Sequence, residues 1–354
     1  MHDDPVRIGI LGTGHVAREF LAAIQQSARV RVVAIASRHY PTAEAFARTF
    51  GVDRVYPNYE ALVLSQEVEA VYVALPNSLH AEWAINAATS SKHVLCEKPL
   101  GTSLAEVRCM ANAARRNRIV LLEAFPYYFQ PQMLELLRRI KLGEIGMVHI
   151  VQASMGFTVD DRCNIRFSSA LGGGALLDAG SYAVSIARRA IGRCPISVDA
   201  VSIWNESGID LATTATLHYS LGTTAQIVCG LAMGASRRAI IIGSDGVIDT
   251  EYSNHTSSSQ PACFRLKRGR SWEAEFEDIA ALPGNGFLFE AEAFAALIRT
   301  GGLAEADRFI DISIENAATL DAIKESALMR RQSNVASSPN ESPKDAVPLS
   351  QSPW

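Results

Sequence analysis

Cysteine is scarce and unpaired in this sequence. Its six cysteines, at positions 96, 109, 163, 194, 229 and 263, show no CxxC spacing and are joined by no histidine pair at zinc spacing. That excludes a disulfide-stapled scaffold and a zinc module, and leaves reduced, mostly packed thiols. Basic residues are not in excess: 33 Lys and Arg against 37 Asp and Glu leave a formal charge of −4. This balance argues against a general binder of nucleic acid or of a membrane surface. No apolar run reaches membrane-spanning length. The start, Met1-His2-Asp3-Asp4-Pro5, lacks the basic residues and apolar stretch of a signal peptide. A cytoplasmic location without a membrane partner is therefore expected. There is no internal repeat.

What is present fits a folded chain of two domains. The 354 residues are 48% hydrophobic and 20% charged, close to the globular average. Up to residue 125, short β-branched runs alternate with helical patterns. Strands are expected at 6–11, 31–36, 70–75, 93–96 and 119–122, and helices at 15–26, 42–50, 79–88 and 103–117. Ser103 and Glu106 have the spacing of a capping box for the last of these helices. Such alternation predicts an α/β domain over residues 1–125, with a parallel sheet covered on both faces. From 126 to 330 the pattern changes to a helix at 130–141, strands at 148–155, 197–204, 213–219, 224–229, 238–242 and 247–251, and one helix at 178–191 among them. Closing helices are expected at 290–299 and 308–330. Strands in series predict an α+β domain with a largely antiparallel sheet. Residues 331–354 are expected to be a disordered tail, since ten of the 22 residues from 333 onward are Ser or Pro.

The first strand runs into Gly12-Thr13-Gly14-His15-Val16-Ala17, which opens the first helix. This is the context that the GxGxxG/A dinucleotide fingerprint requires. Gly12 permits the tight turn, Gly14 lets backbone approach a pyrophosphate, and Ala17 lets helix and strand pack closely. The helix N-terminus offers free N–H groups to the phosphates. An ordinary tight turn is the alternative. The second strand ends Ala36-Ser37-Arg38-His39, with no carboxylate before Glu44. An NAD site usually places Asp or Glu there for the ribose hydroxyls. Ser37 and Arg38 can instead hold a 2′-phosphate, so NADP(H) is favoured, NAD(H) remains possible, and a solvated surface arginine is the alternative.

Two later motifs are Leu75-Pro76-Asn77-Ser78-Leu79-His80 and Cys96-Glu97-Lys98-Pro99-Leu100. A third is Gly172-Gly173-Gly174-Ala175-Leu176-Leu177-Asp178-Ala179-Gly180-Ser181-Tyr182. With the glycine fingerprint ahead of them, they resemble the glucose–fructose oxidoreductase/inositol dehydrogenase family (Gfo/Idh/MocA) over about residues 6–330. The resemblance implies a Rossmann domain followed by an α+β domain whose open sheet face serves in oligomers. A homodimer or homotetramer through that sheet is the expectation. It also implies hydride transfer between a nicotinamide and a pyranose, keto-sugar, cyclitol or dihydrodiol. In that reading Lys98 is the catalytic lysine, and Glu97 and Pro99 position its segment. Pro76, Asn77 and His80 line the nicotinamide-ribose side, and Asp178 and Tyr182 take the acidic and proton-transferring positions.

Elementary chemistry agrees with these roles. Hydride transfer to a ketone leaves an alkoxide that must gain a proton, and a tyrosine can give it if its pKa moves towards neutrality. A nearby ammonium such as Lys98 acts in that direction. Asp178 and Tyr182 are four apart and share one helical face. Each has a plain alternative: a surface lysine, a first-turn aspartate, a core tyrosine, a structural histidine at position 80. Tyr128, in Glu123-Ala124-Phe125-Pro126-Tyr127-Tyr128-Phe129, either faces the substrate or packs between the domains. Arg166 either binds a substrate hydroxyl, carboxylate or phosphate, or forms a surface salt bridge. The second functional class, a silent dinucleotide sensor of the same fold, is disfavoured by the presence of Lys98, Asp178 and Tyr182. No cluster suggests a metal.

Overall fold

The computed structural model describes residues 4–254 and 262–337. The first domain runs β1 (Val6–Leu11), α1 (His15–Ile24), β2 (Val30–Ala36), α2 (Tyr40–Phe50), β3 (Arg54–Tyr56), α3 (Tyr59–Val63), β4 (Ala70–Val73), α4 (His80–Thr89), β5 (His93–Glu97), α5 (Leu104–Asn117) and β6 (Leu121–Ala124). All pairings are parallel, in the order β3-β2-β1-β4-β5-β6. The strands read as continuous apolar runs because both faces are covered. One apolar layer gathers α1 and α2, the other α3, α4 and α5. The strand order reverses at β1, which lies between β2 and β4. A crevice therefore opens where β1 and β4 end.

Local signals explain several boundaries. Pro41 stands in the first turn of α2, which begins at Tyr40, two residues before the expected start. Ser103 caps α5 by accepting from the Glu106 N–H at 3.3 Å. The expected capping box is not closed in the usual way, because the Glu106 carboxylate accepts from the N–H and hydroxyl of Thr102.

The second domain runs α6 (Pro131–Lys141), β7 (Val148–Gly156), α7 (Ser181–Ile191), β8 (Ser197–Trp204), β9 (Asp210–His218), β10 (Thr224–Gly230), β11 (Ser236–Gly243), β12 (Gly246–Thr250), β13 (Ala262–Arg268) and β14 (Phe276–Ala281). These strands form one sheet, ordered β14-β13-β12-β11-β7-β10-β9-β8. Only β7 and β10 pair in parallel. Helix α7 packs on one face, in a core shared with Val151, Ile227 and Ile241. Strands β13 and β14 were not expected. In β13, buried Phe264 and Leu266 alternate with outward Cys263, Arg265 and Lys267, so few apolar residues mark it. The cysteines also differ from expectation. All are free, but only Cys96 and Cys229 are buried, while the other four lie exposed.

Two closing helices follow, α8 (Gly286–Thr300) and α9 (Leu303–Ser337). Helix α8 returns to the first domain, where Phe287, Ala291 and Phe294 join the layer of α1 and α2. Helix α9 enters both domains. Its Ile310 and Ala317 pack in the α4–α5 layer, and its Leu320, Ile323 and Ala327 pack in the core of the second domain. The helix also runs into the stretch expected as a tail, through residue 337; residues 338–354 lie outside those described. Among the described residues, no helix is long and apolar enough to cross a membrane.

Candidate active site

The turn after β1 has the geometry of a phosphate cradle. Gly12 has φ of 107°, and a Cβ there would sit 2.3 Å from the Ala74 carbonyl oxygen. Both facts exclude a side chain. Gly14 is exposed, and a Cβ there would meet nothing within 4 Å, so the approach to its backbone is open. It begins α1 without a side-chain cap, and no acidic residue occupies the first turn. The N–H groups there are free for an anion. Thr13 and Val16 are half-buried, His15 is exposed, and Ala17 is fully buried against the sheet. Beyond β2, Ser37 is buried and Arg38 exposed. The Tyr59 phenol hydrogen-bonds the Arg38 backbone, and the Arg38 guanidinium enters no ion pair among the described residues. These residues fit a dinucleotide.

Strand β5 ends at Glu97, so Lys98 emerges at the same edge of the sheet, ahead of a cis Lys98–Pro99 bond. The Lys98 ammonium donates to Asp178 Oδ1 at 2.7 Å and to the Asp178 carbonyl at 3.0 Å. The second carboxylate oxygen accepts from Arg166 Nε at 2.5 Å. Tyr182 lies beside them, with its ring centre 4.8 Å from the Lys98 nitrogen. Burial opposes charge at both Lys98 and Asp178, but mutual attraction overcomes it. Lys98 is raised, and Asp178 is lowered to about 2 with help from Arg166.

Tyr182 behaves differently from the expectation. Burial raises its pKa, and the pull of Lys98 and Arg237 in the other direction does not cancel that. The phenol is thus firmly protonated, and its oxygen accepts from Asn254 Nδ2 at 3.0 Å. Asp178 also departs from the expected regular helix, since residues Leu176–Gly180 form a wide π-type turn before α7. Such turns re-aim side chains at functional sites. Asp210 holds this one. Its carboxylate accepts from the Leu176 N–H at 2.6 Å, and it packs so close to Gly174 that a Cβ there would lie 2.1 Å from Asp210 Oδ1.

Lys98, Asp178, Tyr182, Arg166, Asn77 and Glu97 line one cleft of about 370 Å³ with His15 and Val16 of the glycine turn. Pro76 is half-buried in the loop after β4, and Asn77 Nδ2 ties that loop to the second domain by donating to the Gly172 carbonyl at 2.8 Å. Two expected site residues are elsewhere. His80 is 0% exposed, with Nδ1 2.9 Å from the Pro99 carbonyl and Nε2 2.8 Å from the Leu75 carbonyl. It braces the turn that follows Lys98 and does not line the cleft. Tyr128 is buried between Phe125, 4.9 Å away, and the Arg189 guanidinium, 4.1 Å away, and its hydroxyl accepts from Asn316. It is packing, not a substrate contact. Conversely, Arg237 and Asn254 line the cleft and were not expected. Arg237 and Arg238 are adjacent on β11, and only the pleat sends the first into the cleft and the second to Asp249. Among the described residues, no group of three or more His, Cys, Asp or Glu could hold a metal ion.

Known proteins share this fold. Residues 6–125 match the oxidoreductase family with an NAD-binding Rossmann fold, and residues 133–249 match the GFO/IDH/MocA C-terminal domain. The chain belongs to the GFO/IDH/MocA oxidoreductase family. It is an NAD(P)-dependent dehydrogenase or reductase of that family. Among its relatives, D-xylose 1-dehydrogenase (NADP(+)) 2 of Haloferax volcanii is 32% identical, covering 90% of this chain and 96% of the relative. The dTDP-3,4-didehydro-2,6-dideoxy-alpha-D-glucose 3-reductase of Saccharopolyspora spinosa is 34% identical over 84% of this chain and 89% of the relative. The crystal structure of KijD10, a 3-ketoreductase from Actinomadura kijaniata in complex with NADP and TDP-benzene, superposes with a TM-score of 0.82 at 28% identity. It covers 91% of this chain and 98% of that one.

The ion pair makes a direct prediction. Asp178→Asn removes the carboxylate that outweighs burial at Lys98, so the lysine pKa falls below its value in the unmodified protein. An NMR titration of the Lys98 side chain measures this. An unchanged lysine pKa would mean that Glu97 holds its charge instead.

Proposed function

We propose that the protein transfers a hydride between NADP(H) and a carbon bearing a hydroxyl or ketone on a sugar, keto-sugar, cyclitol or dihydrodiol. The observation that carries this reading is the Lys98–Asp178–Tyr182 group, set in one cleft with the glycine turn at the ends of parallel strands. The nicotinamide, when bound, supplies or accepts the hydride. Lys98 donates to the reacting oxygen and stabilises the charge that grows there. Tyr182, protonated at neutral pH, gives its proton to the alkoxide in reduction; in the reverse direction the phenolate that this transfer leaves takes the proton of the substrate hydroxyl. Asp178 keeps Lys98 charged and aimed. Arg166 and Arg237 offer donors to hydroxyls or to a phosphate, and Met155 and Phe157 offer apolar surface to a ring face. The relatives that act on D-xylose or on dTDP-linked keto-sugars support this substrate class. A silent sensor of dinucleotides would have no use for a buried ammonium and phenol side by side.

The NADP preference rests on Ser37 and Arg38, where an NAD site would place a carboxylate. The relatives named for NADP support it. A homodimer or homotetramer through the second-domain sheet is the proposed assembly. Its open face places Val228, Thr214 and Val201 side by side across three strands, all exposed, with Ile203 beyond.

Three outcomes test these proposals. Lys98→Met retains NADPH binding by fluorescence but loses about 10²-fold or more in turnover across a panel of keto-sugars and aldoses; full activity would remove Lys98 from the mechanism. Arg38→Ala raises the KM for NADPH much more than that for NADH, whereas equal effects would contradict a contact with the 2′-phosphate. Light scattering gives the mass of two or four chains, and Ile203→Glu lowers it; a monomeric mass in the unmodified protein rules the assembly out.

A further inference from the structure

Behind Lys98, the first domain buries more carboxyl groups than it pairs. Glu97 lines the cleft but is only 7% exposed, and its Oε1 accepts from the Tyr72 hydroxyl at 2.5 Å. Glu290, on α8, is 0% exposed, and neither of its carboxyl oxygens has a hydrogen-bond partner among the described residues. Glu123 is buried at the end of β6. It accepts from the Leu100 N–H at 2.8 Å and is also held by the Ser313 side chain.

A carboxylate in such a place takes a proton rather than stay charged. Burial lifts Glu290 well above the usual carboxyl range, and the charge of Glu97 adds to that. Glu97 is the intermediate case. Burial raises it, the Tyr72 hydroxyl and the Lys98 ammonium pull it back, and it rests at about 7. Asp178 also acts on it and is itself ionised. Cys96 and Tyr182 share its surroundings, and burial keeps both neutral. Glu123 is likewise raised by burial to about 7, but it lines a separate small cavity and not the cleft. Of the carboxyls that line the cleft, then, Glu97 is poised to change charge near neutral pH.

The oxidised nicotinamide ring carries a positive charge, and the reduced ring carries none. We infer that Glu97 is a proton-binding residue coupled to the redox state of the cofactor: ionised when the oxidised ring shares its cleft, protonated when the reduced ring does. Its negative charge then favours NADP⁺, and its neutral form removes that preference when NADPH is bound. This assignment rests on the cofactor reading above. The sign follows from linkage. Binding of the cationic ring lowers the proton affinity of Glu97, so NADP⁺ binding releases a proton and tightens as pH rises through about 7. Binding of NADPH lacks that component. Contacts to the 2′-phosphate are common to both forms and cancel in the ratio of their affinities.

The experiment measures Kd for NADP⁺ and for NADPH by calorimetry on the intact protein across neutral pH. An opposite charge nearby shifts a carboxyl by roughly one to three units, so the NADPH/NADP⁺ Kd ratio should rise about five- to tenfold from about pH 6 to pH 8. In buffers of different ionisation enthalpy, NADP⁺ should release more protons than NADPH does. Glu97→Gln should flatten the ratio, while Glu290→Gln should leave it sloping, because an amide mimics the neutral acid. A flat ratio in the unmodified protein, or a slope lost only in Glu290→Gln, overturns the assignment. Should Glu97→Gln fail to fold, proton release in the unmodified protein decides alone. Absence of binding to either cofactor at any pH would instead sink the cofactor reading.

Discussion

An ammonium and a carboxylate meet across the boundary of two domains, 2.7 Å apart, with their side chains only 12% and 15% exposed. Removing two such ions from water costs several kcal/mol each, and attraction offsets it only where the remaining hydrogen bonds are also made. Here they are: Asp178 takes Arg166 on its other oxygen, and Lys98 reaches the Asp178 carbonyl as well. The pair is a weak source of net stability. Its value lies in position, because neither partner can be left alone in the cleft. It therefore fixes where the end of β5 stands against the turn before α7.

The cleft depends on the rest of the fold keeping that register. Helix α9 threads both cores, and Arg188 on α7 bonds it through Glu315 and the Ile312 carbonyl. Asn77 joins the loop after β4 to Gly172 in the second domain. Asp210 pins the wide turn that carries Asp178, and His80 pins the turn that carries Lys98. None of these four groups needs to touch a substrate. Each removes a freedom that would otherwise let the ammonium, the carboxylate and the phenol drift apart, and a misplacement of about 1 Å is enough to cost catalysis heavily.

Charge in this region is sorted by solvation. Where a cation is within reach, as for Asp178, the carboxyl is ionised; where none is, as for Glu290, it carries its proton. Glu97 lies between the two environments, next in sequence to Lys98 and in contact with Tyr72. The same rule explains Tyr182: the ammonium 4.8 Å from its ring does not make up for the water that the phenol has lost.

The amino-acid order by itself determined whatever a few neighbouring residues can enforce. The glycine turn is legible because strand, turn and helix are contiguous, and Gly12 is required by a local φ and one close carbonyl. The same holds for the capping Ser103 and for the parallel β/α alternation; Lys98, Asp178 and Tyr182 were singled out by the family resemblance, and it is the fold that brings them into one cleft. Only the tertiary structure decided which way side chains face and which layer a late helix joins. His80 and Tyr128 turned inward because carbonyls and rings from distant segments enclose them. Arg237 and Asn254 entered the cleft, β13 and β14 extended the sheet beyond β12, and α8 returned to the first domain. Those outcomes depend on burial and partners supplied by residues far away in the chain, which no local pattern encodes.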